Sequence, residues 1–242
     1  MNDFISALIL AVIQGLTEWI PVSSSGHLVL ASKILGFDNS VLFDVSLHFG
    51  TLMAVFVYFG KDVVDMVEAV FKGKWKSEEA RMALLLVIAT IPAALIGYFF
   101  RKIIEGTFQS LIIVAFGFAI TSMILFIASF DLKKKKENII NADSFLIGCA
   151  QAIAILPGIS RSGSTIASGL LLGLDEKKAL KFSFLMSIPV IFGANLLEVG
   201  NNKLPTSLLL PTLVSFAVGM ITIHFLLKFI LTSKKNLRWF GL

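Results

Sequence analysis

Hydrophobic positions in this chain gather into long unbroken blocks, with no strand-like alternation of apolar and polar residues. Five windows, Val41–Phe59, Met82–Phe100, Leu111–Phe130, Phe182–Val199 and Ser207–Leu231, hold only Asp44, Glu198 and Lys228 as formal charges. Each window is long enough to cross a hydrocarbon layer of about 30 Å as a helix. Four shorter runs, Phe4–Ile13, Leu28–Leu35, Phe145–Leu156 and Ile166–Leu174, fall below that length. They pair across two Pro/Gly/Ser segments, Pro21–His27 and Pro157–Ser164. Short helices flanking such a segment suit re-entrant hairpins, because irregular backbone at membrane depth survives only when buried in protein or facing a wet cavity.

Composition agrees with the pattern. The chain has 242 residues, of which 56% are apolar and 15% charged, against roughly 25% charged in soluble domains. A soluble domain of this size cannot bury that much apolar surface in one core. The predicted fold class is therefore an all-α polytopic membrane protein with five to six transmembrane helices, forming a single membrane domain over residues 1–242. Its net charge of +5 resides mostly in loops, so it reports membrane orientation and gives no reason to expect a nucleic-acid partner. The single Cys149 excludes an internal disulfide or a thiolate metal cluster. Met1–Ile5 carries Asp3 and no basic residue, so a cleavable signal peptide is not expected.

Lysine and arginine counts set the orientation. Residues 60–81 carry five, residues 131–143 carry Lys133–Lys136, residues 175–181 carry Lys177, Lys178 and Lys181, and the tail carries Lys234, Lys235 and Arg238. Residues 1–13 carry none, 101–110 only Arg101 and Lys102, and 200–206 only Lys203. The positive-inside rule places the first group in the cytoplasm and the second outside. That solution requires residues 1–40 to enter and leave from the outside, and 144–174 from the inside.

The two hairpins also match each other at a fixed offset of 137 residues: Gln14 with Gln151, Ser23 with Ser160, Ser25-Gly26 with Ser162-Gly163, Gly36 with Gly173, Asp38 with Asp175, and further on Ser46 with Ser183. With opposite orientations from the loop count, this reads as an inverted-topology repeat. The first repeat covers residues 1–130 with a hairpin at about 4–36. The second covers 144–242 with a hairpin at about 144–174. Broken segments in such folds meet near the midplane and build the functional site.

The chemistry lies in those segments. Gln14 and Glu18 are four apart and share a helix face. An ionisable Glu in an apolar stretch is costly unless paired, which makes it a functional candidate. Ser24 and His27 follow, three apart; histidine can act as base or nucleophile near neutral pH. The second hairpin reads Pro157-Gly158-Ile159-Ser160-Arg161-Ser162-Gly163-Ser164-Thr165. Small residues and a helix N-terminus favour an anion, hydroxyls add donors, and a guanidinium fork matches phosphate oxygens. A serine/glycine packing motif accounts for the small residues but not for an arginine at membrane depth. The repeat sets Arg161 opposite Ser24, so both can address one anion.

These residues are where the chain resembles bacterial undecaprenyl-diphosphatases of the bacitracin-resistance type, from about residue 4 to about residue 232. That family is marked by Glu-or-Gln followed four residues later by Glu, a Ser-Gly-His segment, and Pro-Gly-x-Ser-Arg-Ser-x-x-Thr. Here those are Gln14/Glu18, Ser24–His27 and Pro157–Thr165. The resemblance implies removal of the terminal phosphate of undecaprenyl diphosphate, which recycles the lipid carrier of cell-wall synthesis. It also implies a bacterial plasma membrane location, a site open to the extracytoplasmic face, and a polyprenyl diphosphate substrate among membrane lipids. A second copy of the chain is a candidate partner. Two departures stand out. Gln14 replaces a Glu found in some members, which removes one negative charge from any divalent-ion site. The chain also stops at Leu242, where members usually continue into a last helix; a truncated chain and a short member are the two readings.

The expected mechanism gives the diphosphate to Arg161 and to the amides and hydroxyls of Ser160, Ser162, Gly163, Ser164 and Thr165, with Ser23, Ser25 and Gly26 lining the other side. His27 serves as base or nucleophile, Ser24 is the competing nucleophile, and Glu18 binds Mg²⁺ or Ca²⁺, hard ions that favour oxygen. Asp44 and His48, four apart, form a secondary candidate pair, either facing the cavity or locking the first span. Asn195 and Glu198 approach the same side, and His224 reads as a structural donor. Pro92, Pro189 and Pro211 read as kinks, and Lys133–Lys136 as an orientation anchor. A rival from another class is a membrane carrier for a lipid phosphate or small anion, because broken helices in inverted repeats are typical of carriers.

Overall fold

A computed structural model describes residues 3–130, 136, 138–199, 205–232 and 234–241. Lys133–Lys135, Lys203 and Leu242, which entered the loop and terminus arguments, lie outside the described residues. Among the described residues every regular element is helical: α1 (Asp3–Thr17), α2 (Ser24–Leu35), α3 (Val41–Phe71), α4 (Glu78–Phe99), α5 (Arg101–Thr107), α6 (Leu111–Ala128), α7 (Asn141–Ile153), α8 (Arg161–Leu171), α9 (Glu176–Val199), α10 (Leu209–Thr232) and α11 (Arg238–Gly241). Five of them, α3, α4, α6, α9 and α10 with the turn before it, are long and apolar enough to cross a membrane. The protein is a multi-pass membrane protein.

Serines start many of these helices. Ser23, Ser40, Ser77, Ser110 and Ser160 each accept a hydrogen bond from a backbone N–H three residues on, which satisfies donors that the first turn would leave orphaned. The short helices α1, α2, α7 and α8 have 15, 12, 13 and 11 residues. At about 1.5 Å per residue none reaches the thickness of a hydrocarbon layer.

The core runs through the centre of the bundle, where Trp19, Leu125, Ile147, Leu180, Phe184 and Leu185 are fully buried. A smaller cluster of Leu10, Leu28, Phe43 and Leu47 backs the first hairpin. Outside, side chains such as Ile34, Phe71, Ile112 and Phe225 are exposed, an apolar exterior that only lipid can cover. Helices α3 and α10 run parallel: Ser215 Oγ donates to the Leu47 carbonyl (2.8 Å), and further along the seam Tyr58 Oη meets His224 Nδ1 at 2.9 Å. Thus His224 has the structural role expected of it.

Two expectations change. Pro92 and Pro189 lie inside α4 and α9, whereas Pro211 is the third residue of α10, in a first turn that takes proline without a kink, and a break in helical dihedrals falls in α3, which has no proline. It lies at Phe59 (φ −115°, ψ 18°), directly before Gly60, where the missing side chain lets the helix bend. Lys136 is also more than an anchor. Its Nζ pairs with Asp143 Oδ1 at 2.9 Å and its N–H donates to the Gly173 carbonyl, so the connecting segment is tied to the second hairpin.

Helix α7 approaches α4 so closely that a Cβ on Gly148 would stand 3.0 Å from Ala89 Cα, whereas nothing lies within 4 Å of one on Gly193 in α9. Small residues are what permit such contact in membranes. Gly148→Ala should lower the thermal unfolding midpoint by the equivalent of about 1–3 kcal/mol. Gly193→Ala should leave it equal or raise it slightly, by about 0.5 kcal/mol. Detergent-solubilised protein followed by circular dichroism gives both values.

Candidate active site

The two broken segments meet. At the end of α1 the helical spacing holds: Gln14 Nε2 donates to Glu18 Oε2 at 3.1 Å. The chain then turns through Trp19–Val22 into Ser23, which caps α2 with a positive φ of 68°. A left-handed serine is strained, and strain of this kind gathers at sites that need an exact side-chain aim. Ser23 Oγ lies 3.2 Å from Ser25 Oγ, and its carbonyl accepts from His27 Nδ1 at 2.8 Å. That bond leaves Nε2 of a neutral His27 ring as the lone-pair nitrogen. The ring stands edge-on to Phe118 of α6, with centroids 5.2 Å apart. Ser24 Oγ donates to Glu18 Oε2 at 2.6 Å.

The second segment closes over the first. Arg161, at the start of α8, donates from Nη2 to Glu18 Oε1 at 2.6 Å and from Nη1 to the Ser183 carbonyl at 3.3 Å. Ser162 Oγ reaches the Ile20 carbonyl at 3.4 Å. Thr165 Oγ1 meets Ser183 Oγ at 2.6 Å, and Ser160 Oγ lies 3.2 Å from Ser162 Oγ. A Cβ on Gly163 would stand 3.3 Å from Pro21 Cβ, and one on Gly26 would stand 3.0 Å from Gly158 Cα. Only small residues allow the two loops to lie this close. Ser164 is buried in the first turn of α8.

Glu18 is 6% exposed and the Arg161 side chain 15%. Neither charge could be held there alone, since the cost of desolvating an unpaired ion far exceeds what packing returns. The pair therefore locks hairpin to hairpin. Ser24 and Arg161 each begin a helix (α2 and α8), so two helix N-termini bring their partial positive charge to one place.

Sequence reasoning missed Thr121. Its Oγ1 accepts from the Ser160 N–H and donates to the Gly158 carbonyl, both at 2.9 Å. Gly158, with φ 89°, could not take this turn with a side chain, and the backbone of α6 at Gly117 presses directly on it. The secondary candidates divide. Asp44 and His48 do not pair through their side chains: His48 Nδ1 bonds the Asp44 carbonyl at 2.8 Å, while Asn39 Nδ2 lies 2.7 Å from both Asp44 carboxylate oxygens. His48 Nε2 instead lies 3.5 Å from Glu18 Oε2, so His48 joins the site. Asn195 Nδ2 bonds the Ile191 carbonyl at 2.9 Å, and Glu198 pairs with Arg101 at 3.1 Å.

Among the described residues no three His, Cys, Asp or Glu side chains gather as a metal cage. The donors present are hard oxygens: the Glu18 carboxylate and the buried Gln14 Oε1, which has no hydrogen-bond partner. Both Glu18 oxygens already accept bonds from Arg161, Gln14 and Ser24, so these two residues do not make a metal centre by themselves, and an ion there would take most of its ligands from phosphate and water.

The chain matches the model of the bacitracin resistance protein BacA family over residues 7–242. It belongs to that family. An undecaprenyl-diphosphatase of Thermosipho africanus is 42% identical over 97% of this chain and 93% of its own length. Another from Carboxydothermus hydrogenoformans is 42% identical over 100% and 93%, and one from Christiangramia forsetii is 38% identical over 99% and 94%.

Thr121 holds the family's Pro-Gly segment to α6 by two buried bonds. Thr121→Val keeps the shape and orphans the Ser160 N–H and the Gly158 carbonyl. It should cost about 1–3 kcal/mol of stability, read as a lower unfolding midpoint, and Thr121→Ser should restore most of it.

Proposed function

We propose that this chain hydrolyses undecaprenyl diphosphate to undecaprenyl phosphate and inorganic phosphate at the outer face of the bacterial plasma membrane. The observation that carries this is the Ser24–Glu18–Arg161 constellation: a hydroxyl, the carboxylate that accepts its proton, and a guanidinium on that same carboxylate, in a chain whose relatives are undecaprenyl-diphosphatases. Those relatives also favour hydrolysis over carriage of a lipid phosphate.

Diphosphate cleavage depends on neutralising spread charge and holding the nucleophile in line. Arg161 uses two of its N–H groups on Glu18 and Ser183, and the others would donate to the terminal phosphate. The N-termini of α2 and α8, with Ser23, Ser25, Gly26 and the Ser160–Thr165 turn, supply further donors. Ser24 Oγ attacks the terminal phosphorus while its proton passes to Glu18 Oε2, an arrangement typical of an activated hydroxyl. The bond from phosphorus to the bridging oxygen breaks, and that oxygen leaves with the lipid phosphate. Water then hydrolyses the phosphoserine, with His27 Nε2 as its base. Glu18 and Gln14 Oε1 would hold Mg²⁺ or Ca²⁺, which supplies charge neutralisation on the diphosphate.

The inverted repeat of 1–130 and 144–242, with re-entrant hairpins, belongs to the same proposal. In its support, the Ser23 and Ser160 side chains cap α2 and α8 with the same bond to the N–H three residues on, though from different backbone dihedrals, and Gly36 and Gly173 both follow those helices with positive φ. Helix α1 packs on α10 as α7 packs on α4.

In detergent micelles, which have no two sides, the wild type should release phosphate from a polyprenyl diphosphate. Arg161→Ala and Ser24→Ala should each lower turnover by about a thousandfold, and His27→Ala should abolish it, with circular dichroism unchanged. Normal turnover by any of the three removes that residue from the mechanism. Absence of release by the wild type removes the reaction. For orientation, in a Cys149→Ala background a membrane-impermeant maleimide should label Asp38→Cys in intact cells and Lys74→Cys only after lysis.

A further inference from the structure

Trp19 follows Glu18 directly and is 0% exposed. The Arg161 guanidinium carbon lies 5.3 Å from the centroid of its ring. The indole also meets Phe184 edge-on at 5.1 Å, and Phe184 leans on Phe59, the residue at the break in α3, at 6.0 Å. The indole Nε1 is buried with no hydrogen-bond partner among the described residues. It points toward α10, where a Cβ on Gly219 would stand 3.5 Å from it.

That unpaired N–H carries an uncompensated desolvation cost. A phenylalanine would fill most of the same core without it. Apolar packing alone therefore gives no reason for tryptophan here. What the indole offers in exchange is the most electron-rich face among the natural side chains, and a desolvated cation gains most from such a face.

We propose that Trp19 is a positioning residue for Arg161. Bonds to Glu18 Oε1 and to the Ser183 carbonyl hold the guanidinium within its plane, and the indole face fixes the tilt of that plane. With both fixed, the remaining N–H edge presents itself to a phosphate oxygen without reorganisation, which is the condition for electrostatic stabilisation of developing charge. This rests on the hydrolysis proposed above and adds to it a residue that touches no substrate.

The test uses the full chain in detergent with a polyprenyl diphosphate, reading kcat, KM and the unfolding midpoint. Trp19→Phe keeps a weaker face and should hold kcat within about threefold, whereas Trp19→Leu should lose about tenfold or more, mostly in kcat. Leu86→Ala, a cavity in the same core on α4, whose neighbours are α3, α7 and α9, should lower the midpoint and leave kcat near wild type. The chain has three tryptophans, and Trp75 and Trp239 are exposed. In a Trp75→Phe, Trp239→Phe background, 5-fluoro- and 5,7-difluorotryptophan can therefore be set at position 19 alone. Fluorine drains the ring face while nearly preserving shape, so kcat should fall stepwise with fluorine number at a constant midpoint. A flat kcat across that series overturns the proposal, even where Trp19→Leu fails to fold. Loss of phosphate release by the wild type would instead overturn the underlying reaction.

Discussion

The ion pair between Glu18 and Arg161 is the constraint that the rest of the molecule answers to. Its partners lie 143 residues apart in sequence and 2.6 Å apart in space, one on each broken hairpin. Neither charge is tolerable at that depth alone, and removing one partner of such a pair strands the other at a cost of about 3–5 kcal/mol. The hairpins must therefore be brought together for either to fold where it does. The small residues at Gly26, Gly158 and Gly163 follow from the same demand, because the loops can close on each other only where side chains are missing. So does the buried Thr121, which replaces the backbone partners that the turn at Gly158 gives up.

Stability and function pull against each other in this arrangement. A core built for stability alone would replace the ion pair with apolar groups, leave no left-handed serine at position 23, and give every buried polar atom a partner. Here Ser23 holds φ 68°, and Gln14 Oε1 and Trp19 Nε1 stay unpartnered. All three are next in sequence to Glu18 or Ser24, or bond Glu18 directly. Such concentrated local cost is what a preorganised anion site looks like when its ligand is charged and its donors are fixed in advance.

Much of this was legible in the sequence. The five long apolar blocks correspond to α3, α4, α6, α9 and α10, and the four short runs to α1, α2, α7 and α8. Gln14, Glu18, Ser24 and Arg161 announced themselves as polar residues with no apolar reason to be there. Thr121 did not. A threonine inside an apolar helix normally bonds its own preceding turn, as Thr90 and Thr222 do with Leu86 and Val218, so nothing marks the one that reaches across to a loop. The spacing of Asp44 and His48 correctly placed both on one face but not their bonds. A histidine Nδ1 within reach of the carbonyl four residues back takes it, which turns Nε2 away from Asp44 and toward Glu18. The break at Phe59 was hidden because prolines drew the expectation elsewhere.

The two hairpins share a serine cap but neither the loop backbone, with φ 68° at Ser23 and −71° at Ser160, nor the chemistry, and this difference bears on what such a scaffold can do. A carrier that alternates between two sides is served by a binding site of similar character in both halves. At the offset of 137 residues, Glu18 falls on Ile155 and Ser24 on Arg161. Gln151, the counterpart of Gln14, has neither amide atom partnered because the acid that would receive it is absent. One half thus holds the hydroxyl and the carboxylate it bonds, and the other holds the cation. Divided in this way, the cluster exists only where the two segments meet, with Glu18 bonded to Ser24 on its own side and to Arg161 on the other. In the reaction proposed above, that pairing would set a nucleophile and a charge clamp on one phosphate, as in-line displacement requires, and it depends on the two segments differing at these positions.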